Sequence, residues 1–152
     1  MSDEWDDIWK VQLSKHFNDK KRPNNTISFE NIMIIMDEMN MKKYQLNDVQ
    51  GLVKYIPNAL VDGRIVITEE IFLQLIYVLH YADLNNIIQV CFYMTDKGMQ
   101  NELTYDQFKD FLTMIGVPIQ DKHKKYISKL AINGMYKYAI VMDFISNLSC
   151  TQ

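Results

Sequence analysis

A fourfold repeat of bulky apolar residues constrains the fold of this chain more than any other feature. Ile32, Phe72, Phe108 and Phe144 each follow a short strand-like segment and open the apolar face of a predicted helix, at spacings of 40, 36 and 36 residues. Repeats of this length usually correspond to one supersecondary unit each, because a single unit cannot bury its own hydrophobic face. The spacing therefore predicts four helix-loop-helix units.

The clearest of these units runs from Met94 to Gly116. Thr104 is a predicted N-cap, and Gln107 stands three residues later, where it completes a capping box. The helix that follows has apolar residues at i, i+3, i+4 and i+7, which predicts one buried face. These residues are Phe108, Phe111, Leu112 and Ile115. Gly116 stands where a left-handed C-cap is expected.

The loop between the two helices of this unit has the length of a calcium loop. Residues 96–107 make twelve positions, with Leu103 at the eighth and Asn101 at the turn. This stretch resembles the EF-hand superfamily, and the layout of the whole chain resembles its calmodulin and myosin light chain branch. Calcium needs about six to eight oxygen ligands, including a bidentate Glu at the twelfth position. The side-chain ligand positions here read Asp96, Gly98, Gln100, Thr104 and Gln107.

The other three loops also lack the calcium ligands of the family they resemble. The first loop has Lys20 and Arg22 at ligand positions, and the second has Asp62 as its only carboxylate at such a position. The fourth, interpreted as residues 132–143, retains only Asp143, at the position of the bidentate Glu. No metal site is therefore predicted, and Asp96 is the residue at which residual binding is hardest to exclude.

The resemblance implies an all-α fold of four degenerate EF-hand units in two lobes, with short antiparallel β pairing between the loops of each lobe. Residues 65–67 are the most β-prone triplet, and we expect them to pair with the segment around Ile27. The segment 83–86, Asp-Leu-Asn-Asn, interrupts the apolar pattern. It predicts an N-terminal lobe over residues 1–82, a linker over 83–86 and a C-terminal lobe over 87–152.

Charge and motif content exclude several classes of function. The net charge of -3 and pI near 5.6 give no basic footprint for nucleic acid. No apolar run approaches the roughly eighteen residues of a membrane span, so membrane insertion is not expected and the protein is predicted to be cytoplasmic. Zinc-protease, nucleophile-elbow and phosphate-loop motifs are absent from the sequence. We therefore predict a non-catalytic protein without a cofactor.

Ten methionines leave two interpretations of the apolar faces open. Met can fill irregular gaps in a core, and it can line a groove that accepts varied amphipathic helices. Met33, Met36, Met39 and Met41 are concentrated in one short segment. In the C-terminal lobe, a partner-binding surface is predicted from five residues, although a core face would satisfy the same pattern. These residues are Phe92, Met94, Phe111, Met114 and Ile115.

The resemblance implies a light chain that binds a basic IQ-type helix of a myosin heavy chain without calcium, as a cytoskeleton-associated motor subunit. A ligand can shift a conformational equilibrium only through a difference in binding free energy, which these loops cannot supply with calcium. The alternative is a calmodulin-like regulatory protein that binds another amphipathic helix and retains a weak calcium response at Asp96.

Overall fold

A computed structural model describes residues 5–117 and 119–150 of the chain. These residues form two compact lobes that divide between Val90 and Cys91, and the predicted linker 83–86 precedes this point. The described part is mostly helical and has two short antiparallel strand pairs, so the predicted all-α class is confirmed. Every helix within the described ranges is too short or too polar to cross a lipid bilayer.

The N-terminal lobe is built from helices that alternate with short loops. It contains α1 (Asp7–Lys20), α2 (Phe29–Glu38), α3 (Leu46–Gly51), β1 (Leu60–Val61), β2 (Arg64–Ile65) and α4 (Glu69–Tyr81). Two short 3-10 helices, Leu52–Tyr55 and Pro57–Ala59, continue the chain after α3. Helix α1 packs against α4 and α2, and α2 also packs against α3, so the helices form one connected group.

The C-terminal lobe also alternates helices with short loops. The chain continues through α5 (Ile87–Thr95), β3 (Glu102–Leu103), α6 (Tyr105–Met114), α7 (Asp121–Leu130), β4 (Tyr136–Lys137) and α8 (Tyr138–Cys150). The division between the lobes falls within α5. A hydrogen-bonded turn precedes α5: the Asn86 amide donates to the Asp83 carbonyl at 2.8 Å, and the Asn86 side chain accepts from the Gln89 amide at 3.2 Å.

Three helices begin at hydroxyl N-caps, and the predicted cap at Thr104 is one of them. The Ser28, Thr68 and Thr104 side chains accept hydrogen bonds from backbone amides three residues later, at 3.2, 3.4 and 3.2 Å. Each bond satisfies one of the amides that a helix leaves without an intrahelical acceptor. At Thr104 the capping box is complete. The local sequence therefore sets where α2, α4 and α6 start.

The ends of α2 and α6 share one left-handed motif. Gly116 has a φ of 83°, and the next amide, of Val117, donates to the Leu112 carbonyl at 2.8 Å. Asn40 has a φ of 55° at the equivalent position after α2. Such a turn satisfies carbonyl groups that the helix leaves open, and Gly adopts it without steric cost. The predicted C-cap at Gly116 is confirmed.

The four repeated apolar residues lie in the cores of the two lobes. Ile32, Phe72 and Phe108 are fully buried, and Phe144 is 3% exposed. In the N-terminal lobe the Phe72 ring lies 5.4 Å from that of Phe17. In the C-terminal lobe the rings of Phe108 and Phe144 meet edge to face at 5.6 Å. The repeat in the sequence is thus a repeat of core positions.

Strand pairing in the N-terminal lobe differs from the prediction. The Ile27 amide does donate to the Ile67 carbonyl at 3.0 Å, but this is a single bond and not a ladder. Residues 64–65 instead pair with residues 60–61 in a hairpin. Asp62 and Gly63 form its turn with φ values of 52° and 77°. An Asp-Gly turn with both φ values positive matches the twist of a hairpin, so the dipeptide was a signal for it.

The register predicted for the fourth loop is wrong. Leu103 pairs with Tyr136, and α8 already begins at Tyr138. Asp143 therefore lies in the second turn of α8, where it is exposed, and does not end a loop. The prediction began the fourth loop at Ile132. The antiparallel bridge between Leu103 and Tyr136 places the middle of that loop several residues earlier than the prediction does.

The N-cap of α6 gives a test of local helix stability. Thr104→Ala removes the acceptor for the Gln107 amide, and we expect it to lower the free energy of unfolding by about 1 kcal/mol. Thr113→Ala is the matched control, because the Thr113 hydroxyl bonds only the Lys109 carbonyl of its own exposed helix face. Urea unfolding followed by circular dichroism measures both. Equal effects of the two substitutions would contradict the capping role.

Candidate functional site

The loop of residues 96–107 is organised around a buried carboxylate. Asp96 follows α5 directly and is fully buried. Its Oδ2 accepts a hydrogen bond from the Asn101 amide at 2.8 Å, and its carbonyl accepts one from the Met99 amide at 3.2 Å. This hydrogen bond is partly buried, and an amide left without an acceptor in such a place costs free energy. Hydrogen bonds to Asp96 therefore hold residues 96–101, the first half of the loop, in a turn.

The turn of this loop is left-handed at a residue other than glycine. Asn101 stands at the sixth position and has a φ of 63°. EF-hand loops place Gly there, and Asn is among the residues that tolerate this left-handed conformation. The Asn101 carbonyl accepts a hydrogen bond from the Tyr138 amide at 3.2 Å. The turn is thus tied to the start of α8 as well as to Asp96.

Gln107, at the twelfth position of the loop, is part of the capping box at the start of α6. The Gln107 Oε1 atom accepts a hydrogen bond from the Thr104 amide at 3.0 Å, while the Gln107 amide donates to the Thr104 hydroxyl. A bidentate carboxylate would be required here for calcium, and Gln supplies a single neutral oxygen that is already engaged. Within residues 5–117 and 119–150, no three His, Cys, Asp or Glu side chains converge on a point that could hold a metal ion.

Lys20, one of the cations assigned to the first loop, forms an ion pair between two helices. Lys20, predicted at a ligand position, is the last residue of α1, and its Nζ lies 3.0 Å from Glu38 Oε1 on α2. His16 Nδ1 lies 3.1 Å from the same oxygen. The hydrogen bond from Lys20 is the main reason that the pKa of the Glu38 carboxyl is lowered. These groups connect two helices at the surface, where calcium would need carboxylates.

The predicted partner surface in the C-terminal lobe does not form a continuous exposed face. Phe92 and Phe111 are fully buried, and Met94 is 2% exposed. The Phe92 and Phe111 rings meet edge to face at 6.1 Å inside the lobe. Met114 is 41% exposed and Ile115 is half-buried. The structure therefore assigns three of the five residues to the core in this conformation, because a core face and a groove face have the same helical spacing.

A cavity in the N-terminal lobe is lined by residues of the methionine-dense segment. Its volume is about 250 Å³, and it lies between the end of α2 and the segment after it. Met33, Met36, Met41 and Tyr44 line it, and we call it the methionine cavity. The density of Met over residues 33–41 was the sequence signal for it. Helical spacing alone could not distinguish it from core packing.

One wall of the methionine cavity is rigid and the others are adaptable. The Tyr44 hydroxyl donates to the Leu79 carbonyl of α4 at 2.8 Å. Burial raises the pKa of Tyr44, with the charges of Asp48 and Asp83 contributing in the same direction, so the donor keeps its proton. Met36 is 3% exposed at the floor, whereas Met33 and Met41 are half-buried. Unbranched thioether side chains can repack around varied apolar groups.

Charged side chains of both signs surround the methionine cavity. Asp37 lies on one side, and Lys42 and Lys43 lie on the segment after α2. The Lys42 Nζ is held 5.4 Å from the Tyr44 ring centroid, within the range of a cation-π contact. The site therefore combines an apolar interior with a charged rim, which is the usual composition of a protein-protein contact.

The Asp96 bond gives a test of how the loop is held. Asp96→Ala leaves the Asn101 amide without its acceptor, so we expect a loss of about 1–3 kcal/mol in the free energy of unfolding. Asp96→Asn retains a side-chain oxygen and should lose less. Asp110→Ala, at an exposed site on α6, should stay within about 0.5 kcal/mol of the parent protein. Urea unfolding measures all three, and a loss in Asp96→Ala no greater than in Asp110→Ala would contradict the structural role.

Comparison with protein-family models and with curated protein sequences gives no match for this chain. The likeness to the EF-hand pattern therefore rests on the residues themselves. Its strongest elements are the twelve-residue spacing from Asp96 to Gln107, the left-handed turn at Asn101 and the pairing of Leu103 with Tyr136.

Proposed function

We propose that this protein is a non-catalytic, calmodulin-like subunit of four degenerate EF-hand units that binds an amphipathic helix without calcium. The observation that carries the proposal is the loop of residues 96–107, which is closed by hydrogen bonds of its own side chains. Asp96 holds the Asn101 amide, and Gln107 caps α6. Calcium would not change the conformation of this loop, because the loop is already closed and cannot coordinate the ion.

The arrangement of the helices supports the assignment to degenerate EF-hand units. In the C-terminal lobe, β3 and β4 pair through Leu103 and Tyr136, each of which precedes a helix by a few residues. In the N-terminal lobe, Ile27 and Ile67 stand at the equivalent points and share one backbone hydrogen bond. Paired loops joined at these positions are what the resemblance implies.

The partner in this proposal is a basic IQ-type helix of a myosin heavy chain, so the protein would be a cytoskeleton-associated light chain. Residues 1–90 contain 13 acidic and 9 basic side chains, a formal charge of -4. A basic helix is therefore attracted to the N-terminal lobe, and complementary charge raises the rate and selectivity of association. The lining of the methionine cavity itself contains Asp37, Lys42 and Lys43, so the attraction comes from the charge of the lobe as a whole.

The methionine cavity is a suitable seat for one side chain of that helix. Its volume of about 250 Å³ lies below the roughly 300–1,000 Å³ of small-molecule sites. A single bulky apolar side chain, projecting from the helix, would therefore fill it. Helices that dock in apolar grooves use such anchor residues at i, i+3 or i+4 spacing. Met33 and Met41 can adjust around the anchor, while Tyr44 keeps one wall in place.

The test is binding of a fluorescent basic IQ-type peptide to the full chain, measured by anisotropy in excess chelator and again in calcium. The dissociation constants should agree within about twofold, and affinity should fall as salt screens the charges. Binding that appears only in calcium would overturn the proposal in favour of a calmodulin-like regulatory protein that responds through Asp96. Absence of binding in both conditions would overturn the IQ assignment.

A substitution at the methionine cavity tests the seat itself. Met33→Glu places a carboxylate in the half-buried wall, and we expect it to weaken peptide binding at least tenfold, or about 1.4 kcal/mol. Ile34→Glu is the matched control, since Ile34 is the next residue of α2 and is 47% exposed outside the cavity. Circular dichroism checks that both variants fold. Equal losses in the two variants would contradict binding at this cavity.

A further inference from the structure

Helix α7 carries a row of exposed lysines whose charge is not matched within the chain. Lys122, Lys125 and Lys129 stand at i, i+3 and i+7 and are all exposed, so they share one face of the helix. We call them the lysine stripe. At a rise of about 1.5 Å per residue, the stripe extends for roughly 10 Å. No ion pair with a carboxylate is formed by these three lysines in the described part of the chain.

Several other lysines of the chain do form ion pairs. Lys10 and Lys109 each form an ion pair on their own helix, at 3.5 and 3.4 Å, and Lys20 bridges to Glu38. On α7 itself, Lys124 lies 3.0 Å from Asp121. Pairing with Asp121 raises the pKa of Lys124. The acidic residue of α7 is thus engaged by the one lysine that lies outside the stripe.

The opposite face of α7 is already used for packing, so the orientation of the stripe is fixed. Ile127 is fully buried, and the His123 ring lies 6.3 Å from the Phe144 ring. Tyr126 stacks beside Phe144 at 6.1 Å and nevertheless remains 48% exposed. It stands at i+4 from Lys122, next to the stripe. The exposed surface of α7 therefore combines three cations with one half-covered aromatic ring.

We propose that the lysine stripe and Tyr126 form a second docking surface, which binds an acidic segment of a partner protein. Carboxylates at helical spacing would meet the three ammonium groups, and an apolar side chain between them would lie on the Tyr126 ring. Charge complementarity identifies the occupant, because a stripe without internal counter-charges favours an anionic segment. This surface is separate from the methionine cavity and suits a ligand of opposite charge.

A protein segment fits the stripe better than a membrane or a nucleic acid does. Anionic membranes are usually recognised by four to eight clustered basic residues, or by a helix with a free apolar face. The stripe has three lysines, and the apolar face of α7 is buried against Phe144. The net charge of -3 repels an extended anionic surface, whereas a narrow acidic segment contacts only the stripe.

The experiment uses the full chain and a fluorescein-labelled helical peptide with Glu at i, i+3 and i+7 and Leu at i+4. Anisotropy titrations at low and high salt give its affinity. We expect K122E/K125E/K129E to weaken binding at least tenfold and to remove most of the salt dependence. The control, K21E/K54E/R64E, makes the same change in net charge at exposed residues of the N-terminal lobe. It should alter the affinity less than twofold.

Each remaining outcome overturns the proposal. Equal losses in the two triple variants would mean that net charge alone attracts the peptide. Sedimentation with phosphatidylserine vesicles, or binding to an oligonucleotide, that depends on the stripe and exceeds peptide binding would identify an anionic surface instead. Absence of peptide binding to the parent chain at low salt would exclude an acidic partner. Circular dichroism of both variants establishes that these results come from folded protein.

Discussion

The hydrogen bond from the Asn101 amide to the Asp96 carboxylate is the constraint on which the C-terminal lobe depends. It holds Asn101 in the left-handed region, and from there the Asn101 carbonyl accepts the amide of Tyr138 at the start of α8. The pairing of Leu103 with Tyr136 follows on the adjacent residues. A calcium ion usually organises such a loop through its oxygen ligands. Here the Asp96 side chain and carbonyl join the first half of the loop by hydrogen bonds.

The N-terminal lobe joins its two loops with fewer backbone hydrogen bonds than the C-terminal lobe does. Ile27 and Ile67 share one hydrogen bond, while residues 64–65 pair in the hairpin with residues 60–61. Buried repeat residues on α2 and α4, Ile32 and Phe72, supply the core that Phe108 and Phe144 supply in the other lobe. The common element of the two lobes is thus the position of the core residues. The extent of the strand pairing differs between them.

The chain has a net charge of -3, but its charges are distributed unevenly, and two of its surfaces differ in charge. The methionine cavity is lined by methionines and Tyr44 together with Asp37, Lys42 and Lys43, and it belongs to an N-terminal lobe with an excess of acidic groups. The lysine stripe on α7 is cationic, and its three lysines are exposed. A basic helix and an acidic segment would therefore select different surfaces, and short-range complementarity would decide between them once salt screens the long-range field.

The sequence by itself determined the features that depend on local interactions. Helical periodicity, the hydroxyl caps at Ser28, Thr68 and Thr104, and the left-handed residue Gly116 all act within a few residues, so the all-α class and three helix starts could be predicted.

Only the tertiary structure decided which apolar faces are covered. It placed Phe92, Met94 and Phe111 in the core, left a cavity at Met33 and moved Asp143 into α8, because the bridge between Leu103 and Tyr136 sets that loop's register. Burial and register depend on partners far apart in the chain, and spacing along one helix carries no information about them.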